Sequence, residues 1–279
     1  MSSILNDEQR IAFEEDGYVL VRGFYDDTET GLMRTAMEED PAISKGMYNR
    51  EDTEGGKTRL ALWDQPGDNV YGMAARCEKI VDAVEDLLGG EIYHYHSKLS
   101  AKNAFEGGAW EWHQDYGYWY HNGFLSPAMA SVMIALDHTT LENGCLKVLK
   151  GSHKLGRIDH SVIEGQQVGA DLTRVSEAEK HLETVPVLMD PGDALFFHSN
   201  LLHRSDQNNS PDRRWTLICC YNRSNNRSFD ETEDAKFCKL DKVPNQAIRE
   251  AGSLFASSEE AKQFRKSGQR HSLVNEQMN

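Results

Sequence analysis

Long apolar runs are missing from this chain of 279 residues. No stretch approaches the roughly 18 consecutive apolar residues that a membrane-spanning helix needs, so we expect no such helix. The N-terminal segment MSSILNDEQRIAFEEDG has neither a basic start nor an apolar centre, which argues against a secretory signal. Both absences favour a protein of the cytoplasm.

Cysteine is also scarce, because the chain has five and no two of them form a Cys-x-x-Cys pair. An odd number without paired spacing argues against a disulfide framework and against a cysteine zinc site. The cysteine content therefore fits a reducing compartment and again favours a cytoplasmic location.

Positive charge is outweighed, with 30 Lys and Arg against 45 Asp and Glu and a net charge of -15. Such a surface repels nucleic acid and anionic membranes, so we expect neither as a partner. A small anionic ligand is not excluded, because a basic pocket can lie inside an acidic surface. The hydrophobic content of 39% is enough for one large domain. The sequence predicts no particular oligomeric state.

The secondary-structure pattern changes near residue 90. Before it, helices are predicted from Asp7 to Gly17 and over DTETGLMRTAMEED and GMAARCEKIVDAVEDLLGG, and YVLVRGF is predicted as a strand. After it, short strand-like runs are separated by turn residues such as Gly107-Gly108 and Asn143-Gly144. Many short strands with such turns predict a barrel or a sandwich, with the helices packed on its outside.

We expect residues 1–279 to form one domain of three parts. These are a helical N-terminal flank in about residues 1–90, a β core in about 91–223, and a polar C-terminal extension in about 224–279. Within the extension, SSEEAKQFRKSGQRH is predicted to form a surface helix.

The segment WEWHQDYGYWYHNG, residues 110–123, carries the first candidate site residues. If His113 and Asp115 lie on one strand, their side chains share a face, because successive side chains alternate. Two histidines and one carboxylate are the ligand set of non-haem Fe(II) oxygenases, so a third ligand would come from a distant strand. A core strand with one buried face would explain the same pattern without a metal.

A second candidate block is DPGDALFFHSNLLHRSDQNNSPDRRWTLICCYN, which contains His198 and His203. His203 precedes Ser205, and Arg214 opens the next predicted strand. A strand–turn–strand hairpin of this length would bring Arg214 beside His203. The guanidinium could then bind a carboxylate through two parallel hydrogen bonds.

These motifs together resemble the phytanoyl-CoA dioxygenase family of Fe(II)- and 2-oxoglutarate-dependent oxygenases. The resemblance covers most of the chain, including LNDEQRIAFEEDGYVLVRGF at the N-terminus and ENGCLKVLKGSHKLG, where Lys150 replaces the usual proline. WHQDYGYWYHNG is similar to the corresponding stretch of ectoine hydroxylases, a bacterial branch of the family that acts on small metabolites.

The resemblance implies a mainly β fold, a cupin-like double-stranded β-helix or jelly roll in residues 91–223, with flanking helices. It implies that His113, Asp115 and His203 are the catalytic residues that bind Fe(II). It also implies that Arg214 and Ser205 bind 2-oxoglutarate, with O2 as the second cosubstrate and succinate and CO2 as products. Relatives that halogenate have a small residue in place of the carboxylate, so Asp115 favours hydroxylation.

Other residues near these motifs have two interpretations each. Lys98 is a further candidate for a cosubstrate or substrate contact. The rings of Tyr116, Trp119 and Tyr120 are candidates for the substrate wall, but aromatic residues are also common in β cores. Lys102 could receive an anionic group, although a solvated surface lysine is the more ordinary interpretation.

Three further histidines are predicted to be structural. His94 and His96 are expected to share one strand face without a third ligand, and His198 is expected to lie at a strand end.

The substrate predicted from these features is a small polar metabolite: an amino acid, an ectoine-like zwitterion or an aminoalkylphosphonate. No long apolar groove is indicated, although an acyl-CoA or other lipid-derived substrate stays open as the alternative. A cupin-like metal-dependent isomerase or lyase would use the same barrel without 2-oxoglutarate, and Arg214 argues against it. A non-catalytic protein that binds 2-oxoglutarate is the third alternative.

Overall fold

The computed structural model describes residues 4–162 and 168–254. The surface helix predicted in SSEEAKQFRKSGQRH, residues 257–271, lies outside these described residues. None of the helices in the described ranges combines the length and the apolar character needed to cross a membrane.

The described α-helices lie mainly before the β core. They are α1 (Asp7–Asp16), α2 (Asp27–Glu39), α3 (Pro41–Gly46), α4 (Val70–Arg76), α5 (Glu78–Leu88), α6 (Asp115–Trp119), α7 (Leu172–Glu179), α8 (Glu231–Asp234) and α9 (Ala247–Ala251).

Local signals set the ends of the predicted helices. Asn6 caps α1 through a capping box with Gln9, and Gly17 ends this helix in the left-handed region at φ 84°. Helix α5 buries Ile80, Val81 and Val84 on one side, and it ends at Gly89 with φ 74°. The helix predicted at α1 is confirmed. The single helix predicted over GMAARCEKIVDAVEDLLGG is instead two helices, α4 and α5, because Cys77 between them is extended.

Thirteen strands occur in the described ranges. They are β1 (Tyr18–Val21), β2 (Tyr48–Glu51), β3 (Lys57–Trp63), β4 (Ile92–Lys102), β5 (Trp110–His113), β6 (Met129–Ala135), β7 (Leu146–Leu149), β8 (His160–Val162), β9 (Val168–Ala170), β10 (Thr184–Val187), β11 (Ala194–His198), β12 (His203–Ser205) and β13 (Arg214–Arg223).

The strands form two larger antiparallel sheets that face each other. One has seven strands in the order β1-β11-β6-β13-β4-β3-β2, and the other has four in the order β10-β7-β12-β5. Met133 and Ile218 of the large sheet share an apolar cluster with Leu146, Val148 and Val187 of the small sheet. This is the jelly-roll arrangement that the resemblance implies, and the predicted fold class is confirmed.

The outer face of the large sheet packs against the N-terminal helices. Leu217 and Cys219 of β13 belong to the same apolar cluster as Ile80 and Val84 of α5. The sheet therefore has helices on one side and the interior between the two sheets on the other, where the candidate site residues lie.

Strands β2 and β3 were not predicted from the sequence. They continue the large sheet beyond β4, with Leu62 of β3 opposite Lys98. The segment Tyr48–Glu51 has the sequence YNRE and little apolar character, so its pairing with β3 depends on contacts distant from it. The N-terminal flank thus contributes strands as well as helices.

Candidate metal centre

His113, Asp115 and His203 converge in the interior between the two sheets. One ligand atom from each residue lies within 4.8 Å of the other two, and all three side chains are buried. His203 opens β12 and pairs directly with His113 at the end of β5, which places the two imidazoles side by side with ring centroids 4.1 Å apart. Among the described residues, this is the one group of three metal-ligating side chains.

The prediction that His113 and Asp115 lie on one strand is wrong. Strand β5 ends at His113, Gln114 is extended, and Asp115 is the first residue of the short helix α6. The amide of Tyr116 donates to the carbonyl of Ser199, 2.9 Å away, and the amide of Gly117 donates to the carbonyl of Gln114. These contacts turn the chain into a helix while both side chains still point to the same centre.

Hydrogen bonds orient both imidazoles. Nδ1 of His113 lies 2.7 Å from the carbonyl of Glu111, and Nδ1 of His203 lies 2.9 Å from the carbonyl of Leu201. A carbonyl can only accept, so each Nδ1 carries the proton and each Nε2 presents a lone pair. Nε2 of His203 points towards Oδ1 of Asp115 at 3.9 Å.

The protonation states suit a metal. Burial, together with the neighbouring His203, lowers the pKa of His113 well below its ordinary value, and burial also lowers the pKa of His203. Burial would raise the pKa of Asp115, but His203, Lys98 and the Ser131 hydroxyl outweigh it, so this pKa is lowered. At neutral pH the centre therefore offers two neutral imidazoles and one carboxylate, the donor set that Fe(II) takes in non-haem oxygenases.

One oxygen of Asp115 has a fixed partner. The hydroxyl of Ser131, on β6, donates to Oδ2 of Asp115 at 2.6 Å. Oδ1 is left facing the two histidines, so the carboxylate is held in one orientation by the large sheet.

Arg214 lies at one end of the same interior and is 2% exposed. Its Nη1 donates to the carbonyl of Gly144, whereas its Nε has no hydrogen-bond partner among the described residues. Burial lowers its pKa to about 10, so the guanidinium is still a cation at neutral pH. A buried cation without a carboxylate partner is costly, which points to an anionic ligand.

Lys102 and Ser205 lie beside Arg214. Lys102 is opposite Arg214 in the pairing of β4 with β13, and its Nζ donates to Oγ of Ser205 at 2.8 Å. Lys102 is 0% exposed, so its interpretation as a solvated surface lysine is wrong. Burial and the nearby Arg214 lower its pKa well below the ordinary value. Two basic side chains and a hydroxyl thus meet at the end of the interior.

The alternation of β4 could have revealed Lys102. His96, Lys98, Ser100 and Lys102 are spaced by two residues, and they face the interior because their partners include Ile218 and Cys220 of the inner cluster. A lysine in phase with other inward residues of a central strand is a sign of a ligand site.

Lys98 is the one residue of β4 that is not buried. Its positive charge acts on His113, Asp115 and His203, and within the described parts of the chain it has no hydrogen bond or ion pair. Lys98 is therefore partly accessible to solvent while its charge lies close to the cluster.

The aromatic candidates lie on a helix rather than on an alternating strand. Tyr116 is buried, and its hydroxyl donates to the carbonyl of Phe124 at 2.9 Å. Trp119 is buried edge-to-face against His96, with ring centroids 5.7 Å apart. Tyr120 is 39% exposed, and its ring is covered by the guanidinium of Arg157. Of these three predicted substrate contacts, Trp119 is the one that packs against an inward-facing residue of β4, His96.

Tyr118 is the residue of α6 whose ring packs against a member of the cluster. Its ring centroid lies 5.6 Å from that of His113, and its hydroxyl donates to the carbonyl of Val168. The helical turn of α6 brings this residue, rather than Tyr116, against His113.

The other histidines take structural positions. His198 lies at the end of β11, where its Nδ1 accepts the amide proton of Asn200. His94 and His96 do not share a face as predicted, because Tyr95 between them is the extra residue of a β-bulge in β4 and shifts the register with β13. His94 bonds Ser97 and the carbonyl of Asp64, whereas His96 faces the interior.

Comparisons with known proteins agree with this architecture. The family model described as phytanoyl-CoA dioxygenase (PhyH) matches residues 13–216. The L-proline trans-4-hydroxylase of Streptomyces griseoviridis is 36% identical over 174 residues, which is 57% of this chain and 65% of that enzyme. The ectoine dioxygenase of Stutzerimonas stutzeri is 26% identical over 241 residues, covering 81% of this chain and 78% of that enzyme.

A solved structure shares the fold. The enzyme EctD from S. alaskensis with bound Fe superposes with a TM-score of 0.72 at 22% identity, covering 88% of this chain and 90% of that one. Its complex with 2-oxoglutarate and 5-hydroxyectoine has a TM-score of 0.70 at 24% identity, covering 81% and 79%.

Proposed function

The chain belongs to the phytanoyl-CoA dioxygenase family of Fe(II)- and 2-oxoglutarate-dependent oxygenases, and we propose that it hydroxylates a small polar metabolite. Succinate and CO2 are the products from 2-oxoglutarate. The observation that carries the proposal is the convergence of His113, Asp115 and His203. Arg214 is buried in the same interior and has no carboxylate partner among the described residues.

Three atoms would hold the metal: Nε2 of His113, Nε2 of His203 and Oδ1 of Asp115. Bound Fe(II) supplies the redox chemistry that couples oxidation of 2-oxoglutarate by O2 to hydroxylation of the substrate. The protein orients these atoms through the carbonyls of Glu111 and Leu201 and through the Ser131 hydroxyl. The carboxylate of Asp115 completes the ligand set, which supports hydroxylation rather than halogenation.

Arg214, Lys102 and Ser205 would bind the distal carboxylate of 2-oxoglutarate. Ser205 is two residues from His203 on β12, which is about 7 Å along the strand. That separation is on the scale of a five-carbon dicarboxylate, so one end of the molecule can reach the metal centre while the other meets the basic side chains. The buried guanidinium of Arg214 also argues against an isomerase or lyase without a cosubstrate.

Lys98 would contact a second carboxylate close to the metal, from either the cosubstrate or the substrate. It faces the cluster, it reaches solvent, and no anion pairs with it in the described residues. A lysine in the middle of a central strand is unusual unless a ligand compensates its charge.

An amino acid or a similar zwitterion is the substrate class that fits best. Two relatives are named for L-proline and for ectoine, both of which are small. Lys98 could take a carboxylate, and Trp119 could pack against the rest of such a molecule. Tyr116 and Tyr120 stay in the proposal as more distant substrate contacts. The polar inner face of β4 does not favour a long acyl chain.

The remaining parts of the proposal concern the whole chain. A single oxygenase domain over residues 1–279 is supported by the large sheet, which combines β1–β3 with strands of the β core. A small-molecule partner, rather than nucleic acid or a membrane, is supported by the net charge of -15. The cysteine content supports a cytoplasmic location.

A substrate panel tests the proposed reaction. The purified chain, Fe(II), 2-oxoglutarate and O2 are incubated with L-proline, ectoine, an aminoalkylphosphonate and an acyl-CoA. We expect succinate formation to rise with one of the polar compounds and the product to gain one oxygen atom by mass spectrometry. Turnover of the acyl-CoA alone would reverse the choice of substrate class, and succinate from none of them, with no 2-oxoglutarate binding, would remove the proposed function.

Lys102→Met is expected to raise the KM for 2-oxoglutarate by about 10-fold or more, because the buried amine that would bind the carboxylate is lost. The kcat at saturating 2-oxoglutarate should change much less. Lys57→Met is the matched control, since Lys57 is 52% exposed in a surface pair with Glu51. Equal KM values for the two variants would show that Lys102 does not meet the cosubstrate.

A further inference from the structure

Gln114 lies between the first two candidate ligands, but its side chain points away from them. It is 0% exposed, and its amide makes three hydrogen bonds. Nε2 donates to the carbonyls of Gly156 and Asn200 at 2.8 and 2.7 Å, and Oε1 accepts from the amide of Ile158 at 2.7 Å. Both donor hydrogens and the acceptor are therefore used in a fully buried position.

The partners of this amide belong to two separate segments. Gly156 and Ile158 lie before β8, whereas Asn200 lies three residues before His203 in the turn between β11 and β12. A single side chain thus connects the segment that carries His113 and Asp115 to the turn that carries the third ligand.

The backbone of Gln114 is held as well. Its amide donates to Nε2 of His160 at 2.9 Å, and Nδ1 of His160 lies 2.8 Å from the carbonyl of Ile158. His160 is therefore a neutral imidazole with its proton on Nδ1. The ring fits under α6 because residue 117 is glycine: a β-carbon there would lie 2.1 Å from Cε1 of His160.

We propose that Gln114 and His160 are positioning residues that set the separation of the two ligand-bearing segments before a metal binds. Outer hydrogen-bond partners of metal ligands typically change metal affinity or activity by about 10- to 100-fold when they are removed. Gln114 acts on all three ligands, because His113 and Asp115 flank it and its amide holds the turn before His203. This inference rests on the proposed metal site.

The test measures metal binding, which does not depend on a substrate. Fe(II) affinity is measured anaerobically by calorimetry, and Co(II) is used as a second probe because its visible absorption reports the coordination geometry. Gln114→Met has a similar length without the amide and is expected to bind both metals about 10- to 100-fold more weakly, with an altered Co(II) spectrum.

Asn222→Leu is the matched control. Asn222 is also 0% exposed, and its amide donates to the hydroxyl of Tyr93 and the carbonyl of Asn226, away from the cluster. This variant should lose thermal stability but keep the wild-type metal affinity and Co(II) spectrum. If Gln114→Met behaves in the same way, Gln114 is merely structural and the inference is wrong.

A second pair of variants tests the inference if Gln114→Met does not fold. His160→Phe keeps a ring but removes the acceptor for the Gln114 amide, whereas His160→Gln can still accept that hydrogen bond. We expect weaker metal binding by His160→Phe and at least partial recovery in His160→Gln. Unchanged binding by folded His160→Phe would contradict the inference while the metal site stands. A wild-type chain that binds neither metal would overturn the metal site, and this inference with it.

Discussion

Asp115→Ala is expected to reduce metal-dependent turnover by more than about 100-fold while the chain stays folded. Asp115 is the one carboxylate in the cluster, and losing a ligand should cost more than the roughly 10- to 100-fold typical of an outer partner. The fold should tolerate the change, because a buried carboxylate is itself costly to desolvate without its metal. Fe(II) affinity, succinate formation and thermal melting followed by circular dichroism measure these effects.

His113→Ala should behave like Asp115→Ala, since it removes an imidazole from the same centre. Asp137→Asn is the control for the loss of a carboxylate elsewhere, because Asp137 pairs with Arg213 outside the cluster. It should keep wild-type turnover. A folded Asp115→Ala variant with more than about a tenth of wild-type turnover at the same Fe(II) concentration would show that this carboxylate is not a metal ligand.

Arg214→Ala should chiefly raise the concentration of 2-oxoglutarate that the enzyme requires. Truncating one partner of a buried, hydrogen-bonded charge pair costs about 2 to 5 kcal/mol. At about 1.4 kcal/mol per tenfold, this corresponds to a rise in KM of about 25- to 4,000-fold. The kcat at saturating 2-oxoglutarate should fall less, because the metal ligands are unchanged.

The neighbouring arginine is a matched control for Arg214. Arg213 has 35% of its side chain exposed, pairs with Glu38 and Asp137, and lies over the ring of Trp215. Arg213→Ala should leave the KM for 2-oxoglutarate unchanged. Arg214→Lys should recover part of the loss, since lysine keeps the charge without the paired geometry. Wild-type KM in Arg214→Ala would assign the cosubstrate carboxylate to another group.

The spacing of His113 and Asp115 predicted that these two side chains would meet, although it predicted their local structure incorrectly. The predicted strand and the observed turn from β5 into α6 both direct the side chains of residues 113 and 115 towards one centre. The error in local structure therefore did not change the candidate ligands. The hairpin predicted to bring Arg214 beside His203 is wrong, because β12 and β13 belong to different sheets. Ser205 was predicted from the family resemblance, and in the structure its hydroxyl lies 2.8 Å from Nζ of Lys102. The local sequence WHQD did not indicate that the side chain of Gln114 would connect two segments.

The burial of Lys102 shows the limit of single-residue expectations. Lysines are usually exposed, and only the pairing of β4 with β13 places this one against Arg214 and Ser205. The alternation along β4 contained the information, but it needed a strand in a known orientation. The same strand also separates His94 from His96, because Tyr95 is the extra residue of a bulge in β4 that only the pairing with β13 reveals.

The sequence by itself determined the family, the jelly-roll fold class, the candidate ligand set and the ends of α1, because these depend on residue types and on neighbours close along the chain. Asn6 and Gly17 act through contacts within one helix. Only the tertiary structure decided that Asp115 begins a helix, that Lys102 is buried and that Gln114 joins two ligand-bearing segments. Each depends on a partner tens of residues away along the chain, such as Ser199 for α6 or Asn200 for Gln114. The register of the strands decides whether such distant residues come into contact.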